Sequence, residues 1–332
     1  MSRKEFQIEF NKLLSNLYKK CRFKGCVFPD KSNCSKKPIK AHSIQKNKIL
    51  KHISINGMVI SGDIQKTLFT QEFEEVGINS ASVFFGFCNY HDTSIFSEIE
   101  NQDYIENQEQ NFLYAYRACA LEYVKKIEAS CLYKGILKRY KNTQKEIYLK
   151  NMVSGANLGL VDLTEILDDF SNELIKQRDI RNYNIIYTQR FALQYEALIA
   201  VNSFFYIQYD FEGNLINDLS NPSKIPAPIF LNVFPQNGKT IILFSCLSKD
   251  QDIYRNILSN LENISNSRIE YFFSNLIINH CENLFMSPLK YNMISKKMRI
   301  LFVKKFMKTI REKYPSDYLT SGSMNLLKKL KC

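Results

Sequence analysis

No stretch of eighteen uncharged apolar residues occurs in this 332-residue chain, so no transmembrane helix is expected. The first twenty residues set Arg3, Lys4, Glu5, Glu9 and Lys12 among their apolar positions, which is not the pattern of a secretory signal. The expected address is therefore the cytoplasm, with no membrane partner. Phosphate-binding P-loops, glycine-rich dinucleotide fingerprints, G-x-S-x-G elbows and H-E-x-x-H helices are all missing. No internal repeat is found, which excludes a solenoid. Histidine is scarce: any imidazole chemistry must use His42, His52, His91 or His280.

The length allows two domains, each with a core of its own. Hydrophobic residues make up 45% and charged residues 23%, the balance of a folded globular chain. Nine cysteines is an odd number, and without a secretory signal they are expected to be thiols. Cys119, Cys131, Cys246 and Cys281 lie in apolar surroundings and read as small core residues. Cys332 ends the chain and is expected to be exposed. The net charge of +12 is unevenly spread. Residues 1–60 carry +11, residues 61–112 carry −9, residues 113–289 balance, and residues 290–332 carry +10. Two basic ends fit a polyanion-binding surface, so nucleic acid is the expected partner.

Periodicity places a helix at 2–20 with Ser2 as its cap, then a loop at 21–40 rich in turn residues. Ile53 to Ile60 reads as a hairpin about Asn56-Gly57. Helical spacing resumes from Asp92 and again over 108–140. Gly155 and Gly159 read as a loop, followed by a helix at 164–177 capped by Thr164. Tyr183–Leu193, Ile199–Tyr209, Ile229–Phe234 and Thr240–Cys246 read as strands, with Pro235 to Gly238 as a turn. Helices are expected at 250–263, 267–284 and 293–312, and a weakly ordered tail at the end. The fold class is therefore α+β: a metal-type module at 1–107, a helical segment at 108–178, and an antiparallel sheet with helices at 179–332.

Cys88-Asn89-Tyr90-His91 is a C-x-x-H pair directly ahead of a helix, the second half of a treble-clef zinc knuckle. Tetrahedral zinc needs two further ligands from a second loop. Seven residues separate Cys26 from Cys34, with Pro29 and Asp30 to turn the loop; four separate Cys21 from Cys26. Cys26 with Cys34 is the favoured pair, because Cys34 lies just ahead of the strand that carries His42. Cys21 stays open as a replacement for either. The expected structural zinc site is thus Cys26, Cys34, Cys88 and His91.

A cysteine loop, a strand ending in His42, an excursion with a hairpin, and then a knuckle and helix together resemble the HNH, or ββα-metal, endonuclease module. The residues concerned are Lys40 to Gln45 and Cys88 to His91. The segments Ala41-His42-Ser43-Ile44-Gln45 and Phe87 to Asp92 also resemble a group of uncharacterised bacterial proteins. The resemblance spans about residues 20–105. It implies a metal-dependent nuclease, or a nucleic-acid-binding protein derived from one, acting on DNA, with bacterial antiphage defence as a context by analogy. It implies His42 as the general base and Asp92 as an oxygen ligand for catalytic Mg²⁺ or Mn²⁺. Ala41 stands where the family has an acidic residue, and the excursion from His42 to Cys88 is longer than the family's. For the metal-binding residue on the helix, Asp92, Glu98 and Glu100 are candidates by position.

Two other readings fit the same residues. One is a non-catalytic zinc-finger protein whose C-terminal domain meets a protein partner. The other puts an active site in the 180–290 sheet and leaves zinc purely structural. A cluster of His280, Cys281 and Glu282 would be the one to examine there, although consecutive residues on a helix point in different directions and their apolar neighbours favour core packing.

Overall fold

The computed structural model describes residues 3–63, 67, 72–308 and 324–332. In chain order its main elements are α1 (Arg3–Cys21), β1 (Ala41–His42), β2 (Met58–Ser61), β3 (Glu74–Gly77), β4 (Val83–Phe84), α2 (Asn89–Asn101), α3 (Gln108–Arg139) and α4 (Glu146–Ile175). There follow β5 (Ile186–Leu193), β6 (Ile199–Phe205), β7 (Ile229–Gln236), β8 (Lys239–Leu247), α5 (Arg255–Asn263), α6 (Asn266–His280), β9 (Leu284–Met286), α7 (Pro288–Met293), α8 (Lys296–Lys308) and α9 (Leu326–Lys329). The α+β class is borne out. The chain divides into two units, each made of three stretches. Met1–Ala41, Phe84–Ile95 and Cys119–Arg178 form the first; His42–Val83, Phe96–Ala118 and Asp179–Cys332 form the second. No helix among the described residues is long and apolar enough to cross a membrane.

In the first unit α1 packs on the later part of α3. Gly135 makes room for it: a Cβ there would come within 2.6 Å of Leu17. The Phe23 N–H donates to Glu128 at 2.9 Å. Cys21 and Cys131 form a disulfide across this contact, which corrects two expectations. Cys131 is not a simple core thiol, and Cys21 is unavailable to the metal. Their separation of 110 residues hides the pairing from any local reading. A further correction concerns Gly155 and Gly159, which lie inside α4 rather than in a loop. Glycine costs a helix interior about 1 kcal/mol against alanine. Here Leu149, Ala156, Leu163, Leu167, Phe170 and Leu174 bury a continuous stripe of α4, and that burial outweighs the two glycines. Thr164 is mid-helix, its hydroxyl donating to the Leu160 carbonyl at 2.7 Å instead of capping. Ser2, the expected cap of α1, lies outside the described residues.

The second unit is built on a seven-stranded sheet in the order β3-β2-β9-β6-β7-β8-β5. Every pairing in it is antiparallel. The β7–β8 hairpin turns on Asn237-Gly238, both at positive φ, the backbone of a type I′ turn. Pro235 is in the strand opposite Thr240, so the turn is tighter than the sequence suggested. The central strands are buried on both faces, which explains their unbroken apolar runs. Ile229, Leu231 and Val233 join a cluster with Phe272, Phe273 and Leu276 of α6. On the other face Phe234 stacks on Tyr114 of α3 at 5.3 Å, and Asn202 donates to the Tyr114 carbonyl.

Three further expectations are corrected in this unit. The hairpin about Asn56-Gly57 shrinks to a single bridge, Ile55 to Met58, because Ile53 ends a buried helical stretch. The helix expected over 267–284 stops at His280, and Leu284–Met286 becomes β9, between β2 and β6. A run of three apolar residues shows no period by which strand and helix could be told apart. The expected loose tail is docked: Leu326, Leu327 and Leu330 are buried, and the Leu198 N–H donates to the Leu330 carbonyl at 2.8 Å. The final turns of the helix expected to reach 312 lie outside the described residues.

A buried amide fastens the long connection between β6 and β7. Asn217 donates to the Ile207 and Ala227 carbonyls and to the Tyr254 hydroxyl, and accepts from the Ala227 N–H at 2.8 Å. Replacing it strands several buried groups at once. Asn217→Ala should lower unfolding free energy by about 2–3 kcal/mol in urea titration. A loss below about 0.5 kcal/mol, the range of an ordinary surface change, would contradict this account of the loop.

Candidate metal centre

Two backbone segments build the site. One is the loop 22–40 after α1, the other the run 84–91 that leads from β4 into α2. The Val27 N–H donates to the Gly86 carbonyl at 2.7 Å, the Ile39 N–H to the Phe87 carbonyl at 2.8 Å, and Pro38 bridges to Cys88. Gly86 gives close approach: a Cβ there would run into the Phe84 ring. With the segments so joined, the donor atoms of Cys26, Cys34, Cys88 and His91 lie within 4.8 Å of one another. Cys88 and His91 are buried, Cys26 and Cys34 half-buried.

The geometry can be tested against a tetrahedral ion. Zinc–sulfur bonds near 2.3 Å and zinc–nitrogen bonds near 2.0 Å set ligand sulfur and nitrogen about 3.5 Å apart. His91 Nδ1 stands 3.4 Å from Cys26 Sγ and 3.4 Å from Cys88 Sγ. Each cysteine sulfur also accepts a backbone N–H. Cys26 accepts from Cys88 at 3.4 Å, Cys34 from Lys36 at 3.3 Å, and Cys88 from His91 at 3.5 Å. Such bonds favour the thiolate over the thiol, and they orient the sulfurs before any ion arrives. Lys36 takes a positive φ to turn its N–H back on Cys34.

The charges fit the same use. Burial alone would push the Cys88 thiol up; the Ser35 hydroxyl and the His91 and Ser35 backbone N–H groups instead bring it down to about 7. Burial raises Cys26 to about 11, so an ion binding there must displace its proton. Burial also lowers the pKa of His91, against the pull of the Asp30 carboxylate, and keeps the imidazole neutral as a ligand must be. The His91 ring rests against Phe28 with centroids 4.8 Å apart. The set is three sulfurs and one nitrogen, and its chemistry is consistent with zinc.

His42 belongs to the second unit and Asp92 to the first. The Ser43 N–H donates to the Ser82 carbonyl at 2.9 Å, and beside this pair His42 Nδ1 lies 3.0 Å from the Ala81 carbonyl. That contact fixes the proton on Nδ1 and leaves Nε2 as an acceptor. Burial lowers the His42 pKa, with Lys46 and Arg117 in the same sense and the Ala81 carbonyl and Glu100 opposed. Asp92 is half-buried in the first turn of α2. Glu98 accepts from Gln102. Glu100 is paired with Arg117, a fully buried guanidinium lying 4.1 Å over the Phe96 ring. Sequence reasoning passed over Arg117, although a lone charge between Gln110 and Leu121 was the available signal. His52 pairs with Glu196 at the surface. His280, half-buried at the end of α6, stacks on Phe205 at 4.6 Å, and desolvation lowers its pKa to about 3. Among the described residues, the Cys₃His cluster is the one group of three or more such side chains gathered for a metal.

Comparison with protein-family models, with curated proteins and with solved structures gives no match to this chain.

Proposed function

We propose that this chain is a zinc-supported, HNH-like protein acting on nucleic acid, specifically a metal-dependent nuclease or a DNA-binding protein derived from one. One observation carries the reading. His42 donates Nδ1–H to the Ala81 carbonyl, and among the described residues Nε2 has no protein partner. A neutral imidazole with a bare Nε2 is the form that can take a proton from water. Burial holds His42 in that form by lowering its pKa below the usual histidine value. The backbone order supports the same reading, since short paired strands β1 and β4 lead through the Cys88–His91 knuckle into α2.

In this reading zinc is structural, because four protein donors leave no position for substrate. His42 would accept the proton of the attacking water at Nε2. Mg²⁺ or Mn²⁺, when bound, would stabilise charge on the scissile phosphate. No group of three His, Cys, Asp or Glu donors among the described residues includes His42 or Asp92. This favours the nuclease-derived binding protein as the second reading, as do Ala41 in place of an acid and Glu100 tied to Arg117. A protein partner site within 179–332 belongs to that second reading.

The basic segments 1–60 and 290–332 supply cations for phosphate in both cases. Binding to a duplex oligonucleotide, followed by fluorescence anisotropy, should weaken by about tenfold or more between 50 and 200 mM salt as counterions are released. Affinity that stays flat over that range would argue against a nucleic-acid partner. Nicking of supercoiled plasmid with Mg²⁺ or Mn²⁺ then separates the nuclease from the binding protein.

A further inference from the structure

Helix α4 presents a face to solvent that carries no charge at its centre. Ile147, Leu158 and Val161 are 74%, 38% and 65% exposed, and Tyr148 beside them is 66% exposed. Positions 147, 151, 154, 158 and 161 alternate in steps of four and three, so they form one seam, and all five are exposed. From Asn151 to Val161 there is no charged residue. A solvated helix face is normally charged; over about 21 Å this seam carries Ile147, Asn151, Ser154, Leu158 and Val161, all uncharged, with Lys150 beside it. Gly155 lies at its middle. A Cβ there would meet nothing within 4 Å, so no neighbour within the chain requires glycine, the poorest helix former after proline.

The charges at the two ends of the face are opposite in sign. Lys141, Lys145 and Lys150 flank it on one side, and Asp162, Glu165 and Asp168 follow on the other. Glu146 is the exception, and it is taken up by Lys150 at 2.8 Å. A foreign acidic or basic partner would suit only one of these ends. A second copy of the chain, laid antiparallel about a two-fold axis near Gly155, suits both. Each basic end then meets the other copy's acidic end, with Glu165 opposite Lys145, Val161 beside Tyr148 and Leu158 beside Met152. A parallel pairing would set like charges side by side. We infer that the outward face of α4 is a self-association surface on which two copies of this chain pair antiparallel, an isologous contact. A single pair of helices falls short of the roughly 800 Å² per partner of a standard interface, so micromolar affinity is expected.

Sedimentation equilibrium of the full chain from about 1 to about 300 μM should show a monomer–dimer transition within that range. Val161→Lys should remain monomeric throughout with an unchanged circular dichroism spectrum. Glu165→Lys should weaken the dimer about tenfold, as expected of a like charge placed across an interface, and Lys145→Glu added to it should restore the dimer. Gly155→Ala should raise the melting temperature of the monomer yet weaken pairing, because nothing crowds the new methyl until a second helix approaches. A chain that is monomeric at every concentration overturns the inference, and the face then belongs to another partner or to none. A dimer that Val161→Lys leaves intact overturns the surface assignment. Failure of the charge swap to restore pairing overturns the antiparallel arrangement.

Discussion

Cys88→Ser should leave the chain without its metal and loosen the region around it. Cys88 connects the whole site: its sulfur faces His91 Nδ1, its backbone N–H donates to Cys26, and the His91 N–H returns to its sulfur. Replacing the thiolate removes one of four bonds to the ion and the anchor of the knuckle. Structural zinc in finger peptides contributes an apparent 10–16 kcal/mol or so at neutral pH, and that free energy is folding free energy wherever the site does not persist alone. Residues 22–40 have little regular structure and few buried side chains, so they depend on the site for their order. Elemental analysis should find close to one zinc per chain in the wild type and almost none in Cys88→Ser. Hydrogen exchange should quicken over residues 22–40 and 84–92 in the variant, and a chelator should produce the same change in the wild type. Apparent zinc affinity should climb as pH rises from about 6 to about 8, because binding must displace the Cys26 proton. A variant that keeps one zinc per chain would contradict the assignment of Cys88.

If the chain is the nuclease proposed above, His42→Ala should abolish cleavage while leaving zinc content unchanged. A positioned general base contributes roughly 10²–10⁴-fold in rate, and the loss should fall in that range. His42 lies on backbone whose neighbours are tied independently, with Ser43 donating to Ser82 and Asn283 donating to Ser43. Removing the ring therefore costs chiefly its bond to the Ala81 carbonyl, a stability loss of about 1 kcal/mol. The pH profile supplies a second reading of the same group. The folded-state pKa of His42 is lowered, so in the nuclease reading the imidazole would be neutral and able to accept a proton at neutral pH, and would lose that capacity only as pH drops through the lowered value. The acid limb of the rate profile should accordingly lie below the usual histidine value of about 6.5. Wild-type protein that cleaves nothing with Mg²⁺ or Mn²⁺, together with a His42→Ala variant that unfolds, would leave only the zinc-supported binding protein.

The parts of this structure that are legible in the sequence are those whose signals are local. The C-x-x-H spacing of Cys88 and His91 ahead of a helical pattern points to a knuckle, and the structure gathers those two residues with Cys26 and Cys34. The Asn237-Gly238 turn between apolar runs gives the β7–β8 hairpin, because only residues tolerant of positive φ close that turn. Long helical periodicity gives α3 almost residue for residue.

What the sequence hides depends on partners distant in the chain. Cys21 could have been a ligand by spacing; its bond to Cys131 settles the matter and is invisible until α1 and α3 meet. The glycines of α4 read as a loop because their local cost is plain, whereas the buried stripe that overrides it is a tertiary fact. The strand β9 is too short to show a period, and it exists because β2 and β6 both offer it an edge. Ser35, whose hydroxyl helps lower the Cys88 thiol, had no sequence signal at all.

X-ray absorption at the zinc edge on the purified wild-type chain reads the Cys26, Cys34, Cys88 and His91 site directly. A four-coordinate shell of three sulfurs at about 2.3 Å and one imidazole nitrogen at about 2.0 Å is expected. A shell of oxygen and nitrogen alone, or no bound zinc, would contradict it.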